Sequence, residues 1–139
     1  MSRSYWLIKT EPYTFSWDKF VADGKATWDG VRNYTARNHL RAMKKGDYAL
    51  FYHSNEGKEV VGVAEVSREF YPDATAKFGD WSVVDFIPVK ALAVPVTLSQ
   101  VKAEPSLVDM ALVKRARLSV QPVLSTEFKK ILSMGKTKL

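Results

Sequence analysis

The sequence predicts one mixed α/β domain over residues 1–139: a compact, barrel-like, mostly antiparallel sheet flanked by short helices. Three observations predict it. Short apolar runs with strand composition are interspersed with short helical patterns, without the regular alternation of a parallel doubly wound sheet. Two of the runs, DYALFYH and EVVGVAEVSREF, flank the polar turn SNEGK as a β-hairpin does. The seven glycines occur singly, so neither the dinucleotide fingerprint nor the triphosphate loop is present. A chain of 139 residues builds one core, and no internal repeat or linker divides it.

The elements follow in order. Tyr5–Lys9 (YWLIK) is an apolar strand closed by Pro12. Ser16 caps a short helix whose Trp17, Phe20 and Val21 share a face, and Gly24 ends it; GKATWDGVRN is then a loop. Asn33 caps a second helix with Ala36, Leu40 and Met43 as its apolar stripe; Arg37, Arg41 and Lys44 repeat that spacing one residue later, and Gly46 is the stop. In the hairpin that follows, Asn55 and Gly57 make the turn, and Gly62 marks a bulge or a close approach of other backbone. YPDATAKFGD reads as a loop, and WSVVDFIPVKALAVPV as one or two strands bent or left at an edge by Pro88. LSQVKAEP is a short helix ending before Pro105. LVDMALVKRARL is ambiguous between helix and strand, SVQPV is a strand, and STEFKKILSM is a C-terminal helix.

Bulk properties narrow the function. No apolar run approaches the ~18 residues of a membrane helix, and the first residues lack the long apolar segment of a secretory signal, so a cytoplasmic protein is expected. Absent cysteine removes disulfides, thiolate metal sites and cysteine nucleophiles. The net charge of +6 divides into +5 over residues 1–46, −5 over 47–112 and +6 over 113–139. Basic ends brought together by the fold would give a polyanion-binding face; a solvated surface with chance clustering is the alternative.

Catalysis finds little support. His53 and Ser54 are neighbours on a strand and point to opposite faces, with no nucleophile elbow around the serine. The two histidines, His39 and His53, come from separate elements and no carboxylate spacing supplies a metal site, so neither metal nor cofactor is expected. Glu11, Asp29 or Asp47 could act as an acid or base, although Asp29 before Gly30 and Asp47 after Gly46 suit ordinary turns.

Recognition fits better. Trp28, Tyr34, Tyr52 and Trp81 offer faces for base stacking, Asn33, Asn38 and Asn55 offer paired donors and acceptors for a base edge, and Arg32, Arg37 and Arg41 suit phosphate. Core packing of the rings and helix capping by Asn33 are the competing readings. If Trp28 is a stacking surface, Trp28→Ala should weaken binding by about 1–3 kcal/mol with the fold intact.

The runs WLIKTEP, WDGVRNYTARNHLRAMKKGD, FYHSNEG, YPD, WSVVD and RLSVQPV, in that order, resemble the EVE domain family from Tyr5 to about Leu132. The resemblance implies a PUA-like fold related to YTH and ASCH domains, and a non-catalytic reader of a modified base such as 5-methylcytosine or 5-hydroxymethylcytosine in DNA or RNA. By position it implies a pocket of Lys9 and Glu11, Trp28, the Asn33 to Asn38 segment, Ser54 and Asn55, with Trp81 completing the wall. The short start before Trp6 and the short loop after YPD favour a bacterial member over a nuclear one. An enzyme acting on modified nucleosides and a small-metabolite binder are the alternatives.

Overall fold

The computed structural model describes residues 3–139. In chain order these form β1 (Tyr5–Thr10), α1 (Trp17–Asp23), β2 (Ala26–Thr27), α2 (Tyr34–Ala42), β3 (Tyr48–His53), β4 (Glu59–Pro72) and β5 (Ser82–Thr97). There follow α3 (Leu98–Ala103), a 3₁₀ turn (Pro105–Leu107), α4 (Ala111–Lys114), β6 (Val120–Val123) and α5 (Ser125–Met134). The strands make one sheet in the order β2-β5-β4-β3-β1-β6. Every neighbouring pair is antiparallel except β1 with β3. The predicted mostly antiparallel α/β architecture is therefore observed, with one parallel pair, one strand in from the β6 edge.

Period-2 alternation on the central strands builds two cores. Ile8 and Phe51 turn to one face, where Trp17, Phe20, Ala36 and Leu40 of α1 and α2 cover them. Leu7 and Leu50 turn to the other, beneath Val101, Leu112, Phe128 and Ile131 of α3, α4 and α5. Both faces are thus apolar, and both are capped by helices.

Local signals set most boundaries. Ser16 Oγ accepts from Lys19 N at 3.1 Å and Gly24 leaves α1 at φ 74°. Val21, expected on the buried face, is 51% exposed, because it lies about 100° round the helix from Phe20. Asn33 Oδ1 accepts from Ala36 N at 3.0 Å, and Ala36, Leu40 and Met43 are fully buried, as their spacing requires. Here α2 stops at Ala42, four residues before Gly46, because Met43 turns extended (ψ 142°). Lys44 and Lys45 therefore lie in the turn to β3, where Lys44 N donates to Asp47 Oδ2 at 3.0 Å and Gly46 takes φ 94°.

Two expected loops are partly strand. Within GKATWDGVRN, Ala26 and Thr27 pair with Phe86 and Asp85. Tyr71 and Pro72 continue β4 opposite Val83 and Ser82, since a proline at a strand end removes no needed donor. Pro88 stays within β5 opposite Ala64, beyond the short reach of β2 and so on an edge. Repeated register shifts between β4 and β5 curl this part of the sheet.

At Gly62 the expected register shift is present, and the close approach there is made by a side chain and not by other backbone. A Cβ there would lie 2.6 Å from the Trp17 ring. That ring cannot move aside, because it packs edge-on against Phe20 at 5.5 Å and Phe51 at 5.2 Å between centroids. Gly62→Ala is expected to destabilise the fold by about 1–3 kcal/mol in urea unfolding, and by clearly less in a Trp17→Phe background, where the clashing ring atoms are gone.

Candidate nucleic-acid interface

The crossover from β1 to β3, residues 11–47, carries most of the sequence-predicted site, and the structure divides it into three places. The first is a cleft of about 450 Å³ lined by Lys9, Thr10, Thr14, Phe15, Trp28 and Asp29 together with Asp23 to Thr27 around β2, Gly24 excepted. Trp28 is 9% exposed and belongs to the core. Phe15, Phe51 and Phe86 meet its ring edge-on at 6.2, 5.9 and 5.7 Å between centroids, and the Trp28 backbone N–H donates to Val84 O. The ring both plugs the sheet end and floors the cleft. The expectation that Trp28→Ala leaves the fold intact is corrected accordingly, since truncating a buried tryptophan costs about 3–5 kcal/mol.

Lys9 joins Trp28 in the cleft. Its Nζ donates to Ala116 O at 2.6 Å, and burial lowers its pKa. Phe15, Thr10 and Thr14 line the same cleft without having been expected there; no periodicity marks the EPYTF turn as a wall.

The second place is an exposed cation–aromatic ladder. Tyr34, 67% exposed, stacks on Trp81 at 5.1 Å and 20°, so these rings pair with each other and not with Trp28. Arg37 lies 5.0 Å from the Tyr34 ring and 5.8 Å from Trp81, while Arg32 lies 5.6 Å from Trp81. The expected phosphate ligands are already engaged here. Arg32 pairs with Asp73 at 2.9 Å, Arg41 with Asp80 at 2.8 Å and with Ser82 Oγ at 2.9 Å, and Arg37 donates to Asn38 Oδ1 and Asp80 O.

The third place is the β1 and β3 ends. Asn55, at φ 64°, donates to Glu11 Oε1 at 2.8 Å, and Ser54 N donates to Thr10 O. Tyr52, expected in the pocket, is 3% exposed and packs in the opposite core, because the alternation that sends Phe51 toward Trp28 sends Tyr52 away. Asn33, besides capping α2, borders a recess of about 300 Å³ formed with Lys114 to Leu118. Asn38 remains exposed beside Arg37.

Two of the groups weighed for catalysis, His53 and Asp47, have structural partners. His53 Nε2 accepts from Trp17 N at 3.1 Å, and burial lowers its pKa against the opposing pull of Glu59 and Asp18. Asp47 accepts from Trp6 Nε1, Ser4 N and Lys44 N.

Asp73, in the YPDATAKFGD segment whose sequence signals only a loop, holds the crossover in place. Its side chain is fully buried, and it accepts from Gly30 N at 3.0 Å, Arg32 Nη1 at 2.9 Å, Thr75 N at 2.8 Å and Thr75 Oγ1 at 2.6 Å. Burial alone would raise its pKa; the hydrogen bonds from Thr75, Arg32 and Gly30 outweigh it and lower the value to about 2.

A curled, mostly antiparallel sheet with helices on both faces and a polar cleft at its end defines a small PUA-like domain. Among the described residues no helix is long and apolar enough to cross a membrane. The chain belongs to the EVE domain family, whose model matches residues 4–134. It is 39% identical to mouse thymocyte nuclear protein 1, over 97% of this chain and 75% of that one. A protein of Rhodopseudomonas palustris solved by NMR is 54% identical with a TM-score of 0.91, over 96% of this chain and 93% of that one. Human THYN1, solved in complex with DNA containing 5-methylcytosine, is 34% identical with a TM-score of 0.90, over 98% of this chain and 99% of that one. The more distant likeness to a YTH domain of Zygosaccharomyces rouxii, 20% identical with a TM-score of 0.63, is one of fold.

A carboxylate with a depressed native pKa stabilises the fold above its unfolded pKa, and that stability is lost as pH falls through the native value. For Asp73 the window runs from about pH 4 down to about 2. Asp73→Asn is therefore expected to cost about 2 kcal/mol at pH 7, and its gap from the wild type should close as urea unfolding is repeated toward pH 2.

Proposed function

We propose that this chain is a non-catalytic reader of a modified pyrimidine in DNA, holding the base in the cleft over Trp28. The observation that carries this reading is the cleft itself: about 450 Å³, an aromatic floor fixed by three edge-on rings, and polar lining from Lys9, Thr10, Thr14 and Asp29. Small-molecule sites span about 300–1,000 Å³ and combine apolar walls with a few polar groups, so the size and chemistry suit one extruded base. The complex of human THYN1 with 5-methylcytosine DNA supports the ligand class.

Lys9 and Trp28 then act on the base itself, Trp28 by its face and Lys9 by its charge. Tyr34 and Trp81, outside the cleft, offer a second stacking surface for a neighbouring base, with Arg37 supplying positive charge beside it. Glu11, Ser54 and Asn55 shape the β3–β4 turn near the end of β1, and Asn33 and Asn38 order the start and side of α2. Arg32 and Arg41 fix the neighbouring loop through their ion pairs, leaving phosphate contact as a secondary role. Action in the cytoplasm, without a cofactor, fits this reading.

Titration of matched duplexes by fluorescence anisotropy tests it. Burying one methyl group contributes about 0.8 kcal/mol, so 5-methylcytosine should bind roughly fourfold tighter than cytosine. Trp28→Phe, which keeps an aromatic floor of smaller area, should narrow that preference while retaining cooperative unfolding. Equal affinity of the wild type for both duplexes would sink the reading, and so would product formation from modified nucleosides in the absence of any added metal.

A further inference from the structure

We propose that Arg115 and Arg117 form a phosphodiester-binding site beside the cleft; the proposal rests on the nucleic-acid reading above. Five of the seven arginines are already engaged. Arg3 donates to Gly46 O and covers Tyr48, Arg68 covers Tyr71 at 3.7 Å, and Arg32, Arg37 and Arg41 are held as described. Among the described residues Arg115 and Arg117 meet no carboxylate, and both are exposed. They border the recess of about 300 Å³ shared with Asn33 at the start of α2.

Their loop is preorganised from beneath. Gln121 is fully buried and its Nε2 donates to Arg115 O at 2.9 Å and Leu118 O at 3.0 Å, while its Oε1 stays without a partner among the described residues. Both amide hydrogens serve the loop, at the cost of a stranded acceptor. Leu118 anchors in the core, and Lys9 donates from Nζ to Ala116 O and from its backbone to Ser119 O. The same lysine lines the Trp28 cleft, so the loop and the base site share one fixed residue. Two unneutralised guanidiniums on a rigid loop, adjoining a base-sized cleft, match the phosphates flanking an extruded nucleotide.

The test measures affinity for a 5-methylcytosine duplex and its unmodified twin at two or more salt concentrations. Arg115→Ala/Arg117→Ala should weaken both by roughly tenfold, leave their ratio unchanged, and flatten the slope of log K against log salt by about two. Arg115→Lys/Arg117→Lys, which retains the charge, should keep most of the slope and carries the test if the alanine pair melts early. A control of equal charge loss on α5 and beyond, Lys129→Ala/Lys136→Ala, should bind as the wild type does. Unchanged affinity and slope in the alanine pair overturn the proposal, as do an equal loss in the control and a loss confined to the modified duplex. A wild type that binds both duplexes equally while the alanine pair loses affinity would refute the modified-base reading and uphold the phosphate site. A wild type that binds neither would refute both.

Discussion

The parallel pairing of β1 with β3 is the constraint from which the rest of the molecule follows. Tyr5 to Thr10 lie in register beside Tyr48 to His53, running the same way. Parallel neighbours cannot be joined by a tight turn; the chain has to return along the sheet, and it does so through α1, β2 and α2. Both strands bury both faces, so this crossover must deliver an apolar cover. Trp17, Phe20, Ala36, Leu40 and Met43 are that cover. The polar residues between them, Asp29 to Asn33, fall where the crossover passes the sheet end. A cleft arises there between the end of β1 with its following turn and the segment from the end of α1 through β2 to Asp29, with Trp28 among its lining residues.

Electrostatics then sort the arginines into those that build and those that remain available. The acidic middle of the chain folds against the basic first part: Asp73 takes Arg32, Asp80 takes Arg41, and Asp85 takes Lys25 at 3.6 Å. Asp73 is the strongest of these, being fully buried and supplied with four hydrogen bonds, a case in which desolvation is offset by charge-assisted partners. The basic last part has fewer acids within reach. Lys114 meets Asp109 and Lys130 meets Glu104, while Arg115 and Arg117 meet none among the described residues. Net charge per segment thus misleads about which residues are free, since it cannot show which carboxylates fold onto which cations.

Legibility in the sequence followed the same division. Signals carried by a few adjacent residues were readable: the Ser16 and Asn33 caps, the Ala36–Leu40–Met43 stripe, the Asn55 turn and the register shift at Gly62. Features set by distant partners were not. A two-residue strand such as Ala26–Thr27 exists only because Asp85 and Phe86 pair with it. Trp28 and Tyr34 look alike as candidate stacking surfaces, yet one is a core ring and the other is 67% exposed, a difference made by Phe15, Phe51 and Phe86. The site residues read as one cluster because they are close in sequence; loop and helix geometry sends them to separate places.

The double duty of Trp28 has an energetic consequence. A ring held edge-on by three phenylalanines has already lost its rotamer freedom on folding, so a ligand stacking on it orders nothing further. Lys9 is tethered in the same way through Ala116 O, and the loop bearing Ala116 is tied to the interior by Gln121. The cleft is therefore assembled by folding and not by binding. Such a site can discriminate a small added group, because a rigid wall converts a methyl-sized difference into contact made or missed, whereas a yielding wall would accommodate both. On the reading proposed above, rigidity at the floor and exposure at the arginine loop would serve complementary ends: the first selectivity for the base, the second attraction to the backbone that carries it.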